Sequence, residues 1–160
     1  MNAIDFLVKH HREVEDRLEK LSEATSSERA RLFGPTADLL VAHVTIEEKI
    51  FYPEVNARRT EDILLESLEE HLSIKRVLAD LVPLSPKDDR FEAKLHVLKE
   101  QVEHHHKEEE ENLFPKVRKV FDGERLEALG RELEAAYEKL VQEKPRERVL
   151  AQTETAAKLP

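Results

Sequence analysis

The chain has no cysteine, only 3 glycines, and few cations relative to its acids. Without cysteine it can form no disulfide, no zinc finger and no thiolate iron–sulfur cluster. No apolar run approaches the ~18 residues a membrane helix needs. The N-terminus carries no secretory signal, so a soluble, cytoplasmic protein is expected. Lysine and arginine number 26 against 35 aspartate and glutamate, a net charge of −9 with histidine neutral. Phosphate-rich partners select clustered cations. Neither nucleic acid nor an anionic membrane is therefore expected as a partner.

What is abundant is charge mixed with helix formers. Charged residues make up 38% and apolar residues 39% of the 160 residues, which suits one all-helical domain with a long solvated surface. No alternating strand pattern appears. Apolar residues recur at helical spacing in five segments. The first, residues 2–24, carries Ile4, Leu7, Val14, Leu18 and Leu21. The second, 27–57, carries Leu39, Leu40, Ile46 and Ile50 and is kinked or restarted at Gly34-Pro35. The third, 61–81, follows Thr60 as N-cap and carries Leu64, Leu68, Ile74, Leu78 and Leu81. The fourth, 87–120, carries Phe91, Leu95, Leu98, Val102, Leu113, Val117 and Val120. The predicted architecture is an up-down-up-down four-helix bundle over residues 1–121. A further amphipathic helix over 122–144 should pack across it, with a homodimer through that helix as the alternative. Residues 145–160 read as a flexible polar tail.

The stripes are interrupted at corresponding places. His11 sits between Leu7 and Val14, and His71 between Leu68 and Ile74. His43 with Glu47, and His105 with Glu109, lie four apart on one helical face. Each unsatisfied polar group in a core costs ~1–3 kcal/mol, and a carboxylate is almost never buried without a partner. Imidazole nitrogens and carboxylate oxygens share one natural partner, a metal cation. Four histidines and two glutamates suit two ions, with two histidines on each and the glutamates bridging. The interruptions also repeat. His43 to Pro53 matches His105 to Pro115 at an offset of 62, and the His11 stripe matches the His71 stripe at an offset of 60. The chain thus reads as two copies of one helical hairpin.

These residues resemble the hemerythrin-like, HHE cation-binding family. The matching pattern is a lone His followed by H-x-x-x-E-E, an apolar-aromatic pair and Pro, present twice. The resemblance implies a four-helix bundle with a non-haem di-iron centre. His11, His43, His71 and His105 would be terminal ligands, and Glu47 and Glu109 bridging carboxylates. It implies two iron ions, oxo- or hydroxo-bridged, in preference to manganese or zinc, and a small diatomic or peroxide as ligand. Oxygen-carrying members have a fifth histidine where this chain has Lys75. That departure favours a sensor, scavenger or iron handler for O2, NO or peroxide over an oxygen carrier. A peroxidase- or catalase-like enzyme is the first alternative, and a non-catalytic helical interaction module the second. His10, His96, His104 and His106 fall off the stripes and are expected in solvent. Glu48 and Glu110 also point off the inward face, with a sixth ligand position open to them only by a rotamer change. Tyr52 and Phe114 should pack near the site and control water access, with a Tyr52 phenolate ligand as the alternative.

Overall fold

A computed structural model describes residues 1–160, and they form helices with no strand. α1 spans Ala3–Glu23 and starts where the Asn2 side chain accepts the Asp5 N–H at 2.9 Å. α2, Ser26–Ile46, starts at a capping box between Thr25 and Glu28, in which each side chain accepts the other's backbone N–H. It runs unbroken through Pro35, so the expected kink or restart does not divide it. The rod then passes through a π-helical turn, Glu47–Phe51, into α3, Tyr52–Val55.

α4 spans Glu61–Leu81. The Thr60 hydroxyl does not cap it. That hydroxyl donates to the Val55 carbonyl and accepts the Ala57 N–H, tying down the preceding turn. α5, Asp89–Glu108, is capped by Asp88 and passes through a second π turn, Glu109–Leu113, into α6, Phe114–Val120. α7, Gly123–Gln142, is capped by Asp122.

The first two rods are joined by only Ala24 and Thr25, and α4 and α5 by a short loop. Short links of this kind make antiparallel neighbours, and the four rods close into a bundle. α7 crosses α1 and the second rod, burying Leu126, Leu129, Leu133 and Tyr137. The apolar core has two parts. Ile4, Leu7, Ile46, Phe51, Leu64 and Leu113 belong to the part under α7. Val14, Leu18, Leu40, Ile74, Leu98 and Val102 belong to the other. Along each rod, the polar residues that broke the stripes lie between these two parts. Val120, expected inward, is 45% exposed, because α6 ends there and the chain leaves the bundle.

The C-terminal segment is docked where the sequence suggested a frayed tail. After a left-handed residue at Lys144 (φ 51°), Pro145–Gln152 forms a 3-10 helix against α2 and α4. Val149 enters the second part of the core. The Arg146 backbone N–H donates to buried Asp38 at 3.1 Å, and its guanidinium pairs with the same carboxylate. Arg76 donates to the carbonyls of Thr153 and Glu154. Val149, the partly buried Ala156, Ala157 and Leu159 packed on the first part of the core, and these polar contacts hold a segment whose composition gives no helical stripe.

α7 approaches the start of α1 closely at Gly130. A Cβ there would lie 2.3 Å from the Met1 carbonyl oxygen and 2.9 Å from the Ala3 nitrogen. Both are backbone atoms and cannot rotate away. Helix propensity alone favours alanine over glycine by ~1 kcal/mol, whereas the clash opposes it. Gly130→Ala is expected to destabilise the metal-free protein by ~1–3 kcal/mol, read as a lowered thermal midpoint. A raised midpoint would show that α7 does not seat against α1 at this contact.

Candidate metal centre

The six stripe-breaking residues meet in one buried layer. His11, His71, Glu47 and Glu109 have no exposed surface, and His43 and His105 are each 1% exposed. Their donor atoms form two groups that share a residue. His11, His43, Glu47 and Glu109 make one group, and Glu47, His71 and His105 the other. His43 Nε2 lies 3.0 Å and His71 Nε2 3.4 Å from Glu47 Oε1. His11 Nε2 lies 3.3 Å and His105 Nε2 3.2 Å from Glu109 Oε1. Each carboxylate therefore faces imidazoles from both hairpins, the arrangement needed to bridge two ions.

The donor atoms pass a direct test of fit to a cation. His11 Nε2, both nitrogens of His43, both oxygens of Glu47 and Glu109 Oε1 are buried with no hydrogen-bond partner. Buried polar atoms are nearly always paired. Here six of the nine such atoms in the chain belong to these residues, and a mixed nitrogen and oxygen donor set without sulfur suits a divalent or trivalent cation.

A second layer of carboxylates explains the doubled glutamates. Glu48 Oε2 accepts from His71 Nδ1 at 2.9 Å, and Glu110 Oε2 from His11 Nδ1 at 2.8 Å. Glu70 Oε1 accepts from His105 Nδ1 at 2.8 Å. A ligating histidine is normally oriented by such a bond on its other nitrogen. In each Glu-Glu pair the first carboxylate faces the layer and the second fixes a histidine of the other hairpin. Glu48 and Glu110 thus pair with histidine Nδ1 atoms, where the sequence placed them off the inward face with a sixth ligand position as the alternative. Lys75, at the fifth-histidine position of the resemblance, is buried and donates to Glu48 at 2.8 Å.

The two π turns complete the geometry. Pro53 and Pro115 have no N–H to continue the α-helical ladder. The preceding residues, Tyr52 and Phe114, instead donate to the carbonyls of Glu47 and Glu109 five residues back. The wider turn holds the glutamate and the aromatic residue on the same inward side. Tyr52 stacks on His71 with centroids 5.4 Å apart, and Phe114 on His11 at 5.8 Å. The Tyr52 hydroxyl donates to Glu109 Oε2 at 2.9 Å. Burial, then the charges of Glu109 and Glu47, push the Tyr52 pKa well up, so in the metal-free protein the ring keeps its proton.

Two histidines expected in solvent are buried. His10 is wedged between Phe6 and Tyr137, with centroids 4.4 and 4.1 Å away. Burial first, and the charge of His43 second, lower its pKa to about 4. His106 is 2% exposed and stacks on His11 at 3.8 Å. His96 and His104 are exposed, as expected. One apolar stripe per helix could not reveal the buried pair, because a bundle helix touches two neighbours and α7 covers a third direction. Glu15 and Glu110, the partners of His106 and His11, line a surface cleft of about 380 Å³ with Arg12, Glu103, Lys107 and Glu111.

Residues 2–117 match the family described as the hemerythrin HHE cation-binding domain. The chain belongs to that family. A solved structure of a hemerythrin HHE cation-binding domain-containing protein from Mycobacterium kansasii superposes with a TM-score of 0.81, covering 96% of this chain and 94% of that one at 24% identity. At that identity it shows the shared fold. A Nostoc protein described as a DNA nickase is 28% identical over 143 residues, 89% of this chain but 41% of its own length. The HHE chain therefore spans less than half of that relative.

Without a cation the layer neutralises itself with protons. Burial disfavours charge on His11, but Glu109 and Glu110 outweigh it and raise its pKa to about 9. His105 is raised well above normal by Glu109, Glu47 and Glu70 against the same burial cost. A histidine raised from 6.5 adds stability that is complete below pH ~6.5 and fades as pH climbs through the folded value. The metal-free protein should lose stability between pH 6.5 and about 9. Metal must displace these protons, so loading at pH 7 should release them and affinity should rise with pH across the same window. Denaturant melts and pH-stat titration check both. A metal-free protein that gained stability over that range, or loading without proton release, would contradict this account.

Proposed function

We propose that this HHE domain holds two iron ions, bridged by Glu47 and Glu109, and binds a small diatomic molecule or peroxide beside them. The observation that carries the reading is the sharing of Glu47 between two donor groups in one dry layer. His11 and His43 would hold one ion, and His71 and His105 the other. Two ions bridged by carboxylates sit roughly 3.5–4 Å apart, and a pair of redox-active ions can share a two-electron change. The residues supply the rest. Glu48, Glu70 and Glu110 keep three imidazoles in one tautomer with Nε2 directed inward. Leu7, Leu68, Val102 and Leu113, all buried, bound the layer and exclude water. Tyr52 holds a proton 2.9 Å from Glu109 and 3.2 Å from His71 Nε2, positioned to donate to an oxygen or nitrogen atom bound there.

The Nostoc relative, described as a DNA nickase, is a protein more than twice as long. A chain with a net charge of −9 offers phosphate little electrostatic attraction.

Loading the protein with ferrous iron without air and then admitting air tests the reading. Two irons per chain and the charge-transfer absorption of a bridged ferric pair are expected. Glu47→Ala combined with Glu109→Ala should abolish loading while leaving the helical circular dichroism intact. Fewer than two irons in the wild type, or unchanged loading in the double variant, would overturn it.

Peroxide consumption is the second reading, favoured by the Tyr52 proton at the site. It predicts peroxide turnover above that of free iron, with Tyr52→Phe about 10²–10⁴-fold slower, the usual range for loss of a proton donor. Turnover no greater than free iron would leave the binding role alone.

A further inference from the structure

The two hairpins repeat so closely that the places where they differ are informative. His106 corresponds to Val44 at the offset of 62, and Glu15 to Lys75 at the offset of 60. One hairpin match thus brings together an imidazole and a carboxylate, and the other a valine and a lysine. The structure uses the difference. His106 Nδ1 pairs with Glu15 Oε1 at 2.8 Å. This is the bond that His11, His71 and His105 make with Glu110, Glu48 and Glu70 at 2.8, 2.9 and 2.8 Å. His106 is 2% exposed, and Glu15 occupies its Nδ1, leaving Nε2 as its free ring nitrogen. One of its ring nitrogens lies within 4.8 Å of donor atoms of both His11 and His43. At the other end of the layer the corresponding position is the buried methyl surface of Val44, and Lys75 is engaged with Glu48.

We propose that His106 is a fifth imidazole donor, held by Glu15, on the ion bound by His11 and His43. The inference rests on the two-ion reading above. It makes the two ions unequal, three imidazoles on one and two on the other. The ion of His71 and His105, beside the Tyr52 hydroxyl, is then the one left with room for an exogenous ligand. To bind, the His106 ring tilts out of its stack with His11 and turns Nε2 toward the His43 side. Glu15 is part of the surface cleft and can follow that movement.

The test uses the full chain and two redox-silent probes, zinc for structure and affinity and cobalt(II) for absorption. Wild-type protein should bind two ions per chain. His106→Ala should weaken one of the two by more than tenfold and change the cobalt d–d bands of that ion alone. Glu15→Gln should weaken the same ion within the 10–100-fold range of orienting partners. A crystal structure of the zinc-loaded wild type should place His106 Nε2 about 2.1 Å from the metal. Wild-type affinities and cobalt bands in both variants would overturn the proposal. So would a zinc-loaded structure with His106 still stacked on His11 and unbonded to the ion. Fewer than two ions in the wild type would overturn the two-ion reading itself, which separates the two failures.

Discussion

Six imidazole and carboxylate groups have been taken out of water and placed in the middle of an apolar bundle. Everything else in the molecule answers to that constraint. Undivided apolar packing would be more stable than a layer of orphaned donors. The layer persists because two substantial hydrophobic parts, one under α7 and one under the C-terminal segment, flank it. The same pressure explains the self-neutralisation of the metal-free state. Imidazolium and carboxylate in a low-dielectric layer stabilise one another far more than they would at the surface. The protons therefore occupy the charge balance that a cation would otherwise supply.

Around this layer the chain places its supports by repetition. Each Glu-Glu pair divides its labour, and each Pro that follows forces the π turn that keeps glutamate and aromatic ring on one side. Where the copies diverge, the chemistry diverges with them. A hydroxyl is present on Tyr52 and absent on Phe114. An imidazole with its carboxylate, His106 and Glu15, faces one end, and a valine and a lysine face the other. Near-symmetry supplies the frame, and the substitutions within it give each end of the layer a separate character.

Much of this was legible beforehand, for identifiable reasons. His11, His43, Glu47, His71, His105 and Glu109 were visible because a polar residue in a strict apolar stripe is energetically anomalous. The expected helix starts at 27, 87 and 122 fall within two residues of α2, α5 and α7, which Thr25, Asp88 and Asp122 cap. Thr60 was misjudged because its hydroxyl found carbonyls in the preceding turn. His106 and His10 were hidden because a single stripe marks the centre of a buried face and not its width. Glu48 and Glu110 were hidden for a related reason. They point away from their own inward face but toward a histidine on the next rod. The C-terminal segment carries no periodic signal, since Val149 and Arg146 dock through isolated contacts that no pattern announces.

Two of the three orienting carboxylates run between the hairpins, one in each direction. Glu48 of the first hairpin fixes His71 of the second, and Glu110 of the second fixes His11 of the first. Neither hairpin can assemble an oriented half-site from its own residues. Two identical hairpins related by a twofold axis, however, would supply each other with all of these groups through an isologous interface. The bundle is thus a covalently joined pseudo-dimer. Cutting the loop between α4 and α5 would divide the second hairpin and leave a histidine with its orienting glutamate on different fragments. Cutting between α3 and α4 would separate the chain at its symmetry boundary, into pieces that must find each other to rebuild the layer.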